Sequence, residues 1–262
     1  MQSNFNVSCF RVKPKFNSIA EILKDDSDLK LFKVNIPTYF DLVTDFLQFL
    51  SSEEIERSKR YYSPRDKNRF IICRTLLKFI IANQTGLEVK AIKIKKGANK
   101  KPYLVSLDSL NFNVSHSENF AIIAISDRAI GVDVEYINRN FDFSDILAHT
   151  FSDDERQKIR NSENSKEAFY SLWTRKEAFV KATGKGISDN FSQIPSIEGA
   201  HLTPSDILGN LKNLNVFSFD LDKDYKSSIA YDGMLINSNE LNIYNLPNSF
   251  NELLAFSKLK LK

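Results

Sequence analysis

Two long helix-forming stretches, each stopped by glycine and set among short alternating runs, constrain this 262-residue chain more than any other feature. The first, RDKNRFIICRTLLKFIIANQTG, carries a broad apolar stripe of Phe70, Ile71, Leu76, Leu77, Ile80 and Ile81, and reaches Gly86 where a helix would stop. The second, ENSKEAFYSLWTRKEAFVKATGKG, ends at Gly184. Strand-like segments lie between and after them. AIKIKKGANKKPYLV reads as a hairpin turning at Gly97-Ala98-Asn99, and NFNVSHSENFAIIAIS as two strands joined by a polar turn at 116–119. AIGVDVEYI alternates, and NVFSFDLD, YKSSIAYDG and LNIYNL read as strands of a second sheet. This pattern predicts an α+β fold in two halves of similar size, 1–129 and 130–262.

Each long helix has a short forerunner. SSEEIERSKRYY places serines ahead of Glu53 and Glu54, and FSDDERQKI sets Ser152 three residues before Glu155; both have the form of an N-terminal capping box. Nearer the start, NVSCFRVK reads as a strand and TYFDLVTDFLQFL as an amphipathic helix or a strand–helix junction.

Composition narrows the function classes. At 42% hydrophobic and 26% charged, this is ordinary globular composition. A formal charge of +3 is too small for a nucleic-acid binder, and suits an anionic small ligand or an acidic protein. Cys9 and Cys73 have no metal-type spacing, which argues against a disulfide framework or a zinc site. No apolar run approaches the roughly 20 residues of a membrane span, and MQSNFNVSCFRVKPKF lacks the apolar centre of a signal peptide. The expectation is a cytoplasmic protein with reduced thiols.

Asp133 and Glu135 stand two apart on an apolar strand, so both point to one face while Val132 and Val134 point to the other. Two like charges there repel and are costly to desolvate; a divalent cation between them removes both objections. A solvent-facing strand end is the simpler alternative. Glu177 and Lys181 form an i,i+4 pair, either a surface ion pair worth a few tenths of a kcal/mol or part of a site. Trp173 shares that face and Gly184-Lys185-Gly186 follows. Magnesium takes about six oxygens, few of them from protein carboxylates, so Asp133, Glu135 and Glu177 suit it.

Lys93, Lys95, Lys96, Lys100 and Lys101 surround one turn, and such a run is usually a solvated loop. Lys101 differs because Pro102 fixes the backbone after it. His116 is flanked by Ser115 and Ser117, a setting able to bind phosphate or to be merely structural. Arg57, Arg60, Arg69 and Arg74 lie on the upstream helices, from which one or two could reach an anion. His149 and His201 have no identifiable partner.

In order, NKKPYL, FNVSHS, GVDVE, FSDDE and WTRKEAFVKATGKGI resemble the motifs of the 4′-phosphopantetheinyl transferase superfamily, in its monomeric two-half branch. The matched stretch covers about 57–187. The resemblance implies two similar α+β subdomains related by a pseudo-twofold, with coenzyme A in the cleft between them. It implies that Asp133, Glu135 and Glu177 hold magnesium and that Lys181 contacts the coenzyme A phosphates or reacting groups. Ser115 and His116 would meet the nucleotide phosphates, His116 at the 3′-phosphate, with Lys101 and Arg69 at the same anionic end. Arg57 is a further contact, in a region where Glu54 departs from the family's basic pattern. Glu155 is a candidate general base beside a Glu177-assisted water. The acceptor would be a serine of an apo acyl or peptidyl carrier protein.

Two other readings compete. A magnesium-dependent pyrophosphatase would use the same carboxylates and cations with water as nucleophile, but leaves the ordered motifs unexplained. A non-catalytic coenzyme A or carrier binder would be expected to lose metal ligands, and all three are present. Neither a membrane nor a nucleic acid is an expected partner, and the length favours a monomer.

Overall fold

Proline opens the longest helix and glycine closes it. In the computed structural model the first long stretch is helical from Pro64 to Thr85, with proline at the first turn, where its missing N–H costs nothing. Gly86 ends it in the left-handed region at φ 72°. Every residue from Phe70 to Asn83 except Arg74 is buried, so this helix is enclosed on nearly all sides. The second long helix, Ser165–Thr183, ends the same way at Gly184, φ 70°.

The structure describes residues 4–97, 99–105, 107, 109–186, 191–211, 213–235 and 240–259. Ala98 of the expected hairpin turn and Ile187 at the end of the last motif lie outside them. In chain order the strands are β1 (Asn4–Arg11), β2 (Lys13–Ser18), β3 (Leu29–Asn35), β4 (Ile94–Lys96), β5 (Pro102–Leu104), β6 (Asn111–Ser117), β7 (Phe120–Ser126), β8 (Ile130–Tyr136), β9 (Gly199–Pro204), β10 (Asn213–Asp222), β11 (Tyr225–Tyr231) and β12 (Glu240–Asn245). The α-helices are α1 (Val43–Phe46), α2 (Ser52–Lys59), α3 (Pro64–Thr85), α4 (Ser144–Thr150), α5 (Asp153–Arg160), α6 (Ser165–Thr183), α7 (Ser205–Leu208) and α8 (Phe250–Lys258). Around α1 the expected amphipathic helix is broken into 3₁₀ turns at Ile36–Leu42 and Leu47–Phe49.

Two five-stranded sheets organise the molecule, with orders β8-β11-β10-β1-β9 and β2-β12-β3-β7-β6; β4 and β5 form a separate hairpin. Leu31 and Ile122 of the second sheet share an apolar cluster with Val132, Phe219 and Ile229 of the first, so the sheets face each other. On the far side of the second sheet Phe32, Val34 and Ile123 pack with Ile72, Leu76 and Phe79 of α3. On the far side of the first, Cys9, Val216 and Ala230 pack with Ala178 and Phe179 of α6. The layers are therefore α3, sheet, sheet, α6, and the α+β expectation with two subdomains holds.

The sheets do not divide the chain cleanly at residue 129. β1 joins the first sheet, parallel to β10 and antiparallel to β9. β12 crosses back to lie parallel to β2 and β3 in the second. Each half thus receives one strand from the far end of the chain, which ties the halves together.

A helix pair recurs on the two sides. Ser51 caps α2 and Glu54 bonds back to its N–H; Ser152 and Glu155 do the same for α5. In each pair the buried Glu also meets a buried lysine of the next long helix. Lys78 Nζ stands 2.6 Å from Glu54, and Lys176 Nζ 2.9 Å from Glu155.

Candidate functional site

β8 is an edge strand, so the N–H groups of Val132, Val134 and Tyr136 have no neighbouring strand to bond. Side chains of β6 take that place. Asn113 Oδ1 accepts from the Val132 N–H at 2.9 Å, Ser115 Oγ from Val134 at 3.4 Å and Ser117 Oγ from Tyr136 at 3.0 Å. The i, i+2, i+4 spacing of Asn113, Ser115 and Ser117 puts all three on one face of β6, in step with alternate residues of β8.

The same hydroxyls hold the acidic side chains. Ser115 Oγ donates to Asp133 Oδ1 at 2.9 Å, and Ser117 Oγ donates to Glu135 Oε2 at 3.0 Å. From α6, Lys181 Nζ donates to Ser115 Oγ at 3.0 Å and lies 2.6 Å from Asp133 Oδ1. α6 can come this close because Gly131 lies beneath it: a Cβ there would stand 2.2 Å from Ala178 O and from Ala182 N.

Asp133 is buried, and its second oxygen, Oδ2, has no hydrogen-bond partner. Burial first, then the Asp133 charge, push the Glu135 carboxyl up to about 7. Burial and Asp133 likewise raise Glu177. These carboxylates therefore repel one another, with Lys181 the cation hydrogen-bonded among them. The donor set suits a hard divalent cation: an orphaned buried oxygen, with oxygens nearby that resist ionising without one. The carboxylates are not drawn into a finished coordination shell; among the described residues no three His, Cys, Asp or Glu stand ready to share an ion.

Beside this group opens a crevice of about 440 Å³ between the halves. Arg57, Arg69, Arg74, Lys96, Lys100, Lys101 and Lys181 line it against one acid, Asp66, and Phe70, Leu77, Phe112 and Val180 give it apolar wall. Arg57 lies over the Phe70 ring, 4.7 Å from its centroid. Arg69 is 2.5 Å from Asp66. His116 keeps an exposed edge, but enclosure of its ring, and next the Arg69 charge, hold its pKa below the usual imidazole value.

Lys101 donates to Ala182 O at 2.8 Å and Ile130 O at 3.3 Å, tying the β4–β5 hairpin to the end of α6 and the start of β8. Burial pushes its pKa down to about 8. It lines the crevice, yet its ammonium is engaged with backbone.

The structure thus brings together Asp133, Glu135, Glu177 and Lys181, and beside them Arg57, Arg69, Lys101 and His116. Ser115 joins the carboxylates; it does not line the crevice wall. Glu155 is not part of the group. Its oxygens are taken by the Ser152 N–H, Lys176, and the N–H and hydroxyl of Ser196. A carboxylate so saturated and 2% exposed stabilises the fold and has no free oxygen for a substrate proton. The neighbouring Arg175 and Lys176 point the other way from Glu177, to Ser218, Glu198 and the carbonyls of Phe191 and Ile194. Cys9 and Cys73 are free and buried, and burial pushes each thiol up to about 12, so neither is a nucleophile.

Ser117 has no role in the sequence reading; its period-two match to Ser115 and to the Asp133/Glu135 alternation is the available signal. Arg74, one of the upstream arginines read as able to reach an anion, is largely enclosed in the crevice wall; it meets Glu54 at 3.5 Å while its Nη1 has no hydrogen-bond partner.

Two family models match successive stretches of the chain. Residues 37–128 match the N-terminal region model of 4′-phosphopantetheinyl transferases, and residues 129–230 the 4′-phosphopantetheinyl transferase superfamily model. A Synechocystis sp. protein provisionally named a 4′-phosphopantetheinyl transferase is 37% identical over 163 residues, 60% of this chain and 66% of its own length. The 4′-phosphopantetheinyl transferase HetI of Nostoc sp. is 32% identical over 68% of this chain and 76% of its own. The 4′-phosphopantetheinyl transferase Sfp of Bacillus subtilis is 30% identical, with 56% and 67% covered.

Proposed function

The chain belongs to the 4′-phosphopantetheinyl transferase superfamily, and from that premise we propose that it moves the phosphopantetheine arm of coenzyme A onto a serine of an apo acyl or peptidyl carrier protein, releasing 3′,5′-ADP. The observation that carries this reading is the adjacency of two unlike surfaces, joined by Lys181. One is a crevice walled by arginine and lysine; the other is a cluster of mutually repelling carboxylates.

Coenzyme A carries a pyrophosphate and a 3′-phosphate, so its binding calls for gathered positive charge. Arg57, Arg69 and Lys100 supply it on the helix and hairpin sides, with His116 at the 3′-phosphate. Lys181 reaches the pyrophosphate end from α6. The serine oxygen forms a bond to the phosphorus that bears pantetheine, the bond to the bridging oxygen breaks, and that oxygen departs with 3′,5′-ADP. Glu177, with no hydrogen bond or ion pair among the described residues and a raised pKa, takes the serine proton directly or through a water. Asp133, Glu135 and Glu177 would hold magnesium, which supplies charge neutralisation on the phosphates.

Acidic carrier proteins suit the chain's mild positive charge, and binding should weaken with salt. We also take both halves of the site from one chain, acting as a monomer in the cytoplasm. No helix of the described residues is long and apolar enough to cross a membrane.

The test separates transfer from hydrolysis. Coenzyme A and magnesium are supplied with or without an apo carrier, and 3′,5′-ADP is followed. Release that requires the carrier, with matching gain of carrier mass, is expected. Rapid release without a carrier would favour the pyrophosphatase reading.

A further inference from the structure

Ser117 has no place in the reaction as described above, yet it makes two directional hydrogen bonds at the edge of the carboxylate cluster. It accepts from the Tyr136 N–H and donates to Glu135 Oε2, both at 3.0 Å. A hydroxyl has one proton to give, so the accepted N–H bond fixes the oxygen and leaves the proton aimed at the carboxylate. Both partners belong to consecutive residues of β8, and that strand edge has no other strand to define it.

We propose that Ser117 is a positioning residue for the divalent-cation site: it holds Glu135 in one orientation and leaves the other carboxylate oxygen to face the ion. This rests on the reading of Asp133, Glu135 and Glu177 as the cation's ligands. Ser115 does the equivalent for Asp133, but it also bonds Lys181, so its removal would disturb several contacts at once. The Ser117 hydroxyl hydrogen-bonds only β8 among the described residues, which makes it the cleaner probe. A hydrogen bond donated to a ligating carboxylate fixes its direction.

The experiment compares the full-length protein with Ser117→Ala and Ser117→Thr. Mn²⁺ binding is read by electron paramagnetic resonance, coenzyme A binding by calorimetry without metal, and carrier modification across a magnesium titration. Ser117→Ala is expected to weaken Mn²⁺ binding about 10-fold or more, the usual range for a lost partner of a metal ligand. It should raise the magnesium needed for half-maximal transfer to match, and leave metal-free coenzyme A binding unchanged. Ser117→Thr, which keeps the hydroxyl, should restore the metal affinity. Unchanged Mn²⁺ affinity in Ser117→Ala would overturn the inference while leaving the transferase reading intact, and so would an equal loss of metal-free coenzyme A binding. A wild-type protein that neither binds Mn²⁺ nor modifies a carrier would overturn both.

Discussion

Gly131 of β8 lies directly under Ala178 of α6, so close that a Cβ would come within 2.2 Å of the Ala178 carbonyl oxygen. The absent side chain sets the distance between the strand that carries Asp133 and Glu135 and the helix that carries Glu177 and Lys181. Gly131→Ala must push helix and strand apart, since the obstructing atoms are backbone. The expected cost is at or beyond the upper end of the ~1–3 kcal/mol typical of overpacking. Transfer should fall further than stability alone explains, because the Lys181–Asp133 contact opens. Denaturant unfolding and turnover measured on the folded fraction check this.

The repeated helix pair gives a second prediction. Glu155→Gln should leave Lys176 as a buried charge without its counter-ion and destabilise the protein by about 3–5 kcal/mol. Both side chains are nearly solvent-free, 3% and 0% exposed, so solvent screening offers little relief. Turnover per folded molecule should stay near wild type, because Glu155 does not face the crevice. A folded variant with turnover lost and stability kept would restore Glu155 as a proton acceptor.

The metal-free protein should show two pH windows. Glu135 has a folded pKa of about 7 against 4.5, so between those values the native state binds the extra proton. Its contribution therefore makes stability fall as pH rises through about 4.5 to 7. Lys101 is depressed from 10.5 to about 8, so in that window the unfolded chain binds the extra proton and stability rises with pH. Thermal unfolding of wild type minus Glu135→Gln should isolate the first slope, and wild type minus Lys101→Met the second. Magnesium should flatten the first and leave the second.

Much of the frame was legible where local chemistry decides local structure. Glycine stops at Gly86 and Gly184, capping boxes at Ser51 and Ser152, and the Asp133/Glu135 alternation all lie within a few residues and appear where expected. β3 was hidden for a physical reason: it is central, Leu31 faces one core and Phe32 the other, and Lys30 and Lys33 fall on opposite faces, so neither face reads as polar. The crossing of β1 to β10 joins residues about two hundred apart and leaves no local trace. In the site, sequence gave the residue types but not their directions. Ser115 and Glu155 carry the family's motif positions, yet one turns to Asp133 and the other to Lys176, because partners distant in sequence fix them.

The most direct test is the intact mass of an apo carrier protein incubated with coenzyme A, magnesium and either the wild-type protein or folded Asp133→Ala. Wild type should add one phosphopantetheine per carrier serine and release an equal amount of 3′,5′-ADP. Asp133→Ala should add none, since it removes both the anchor of Lys181 and the orphaned oxygen. Near-normal transfer by Asp133→Ala, or no transfer by wild type to any carrier, would contradict the account.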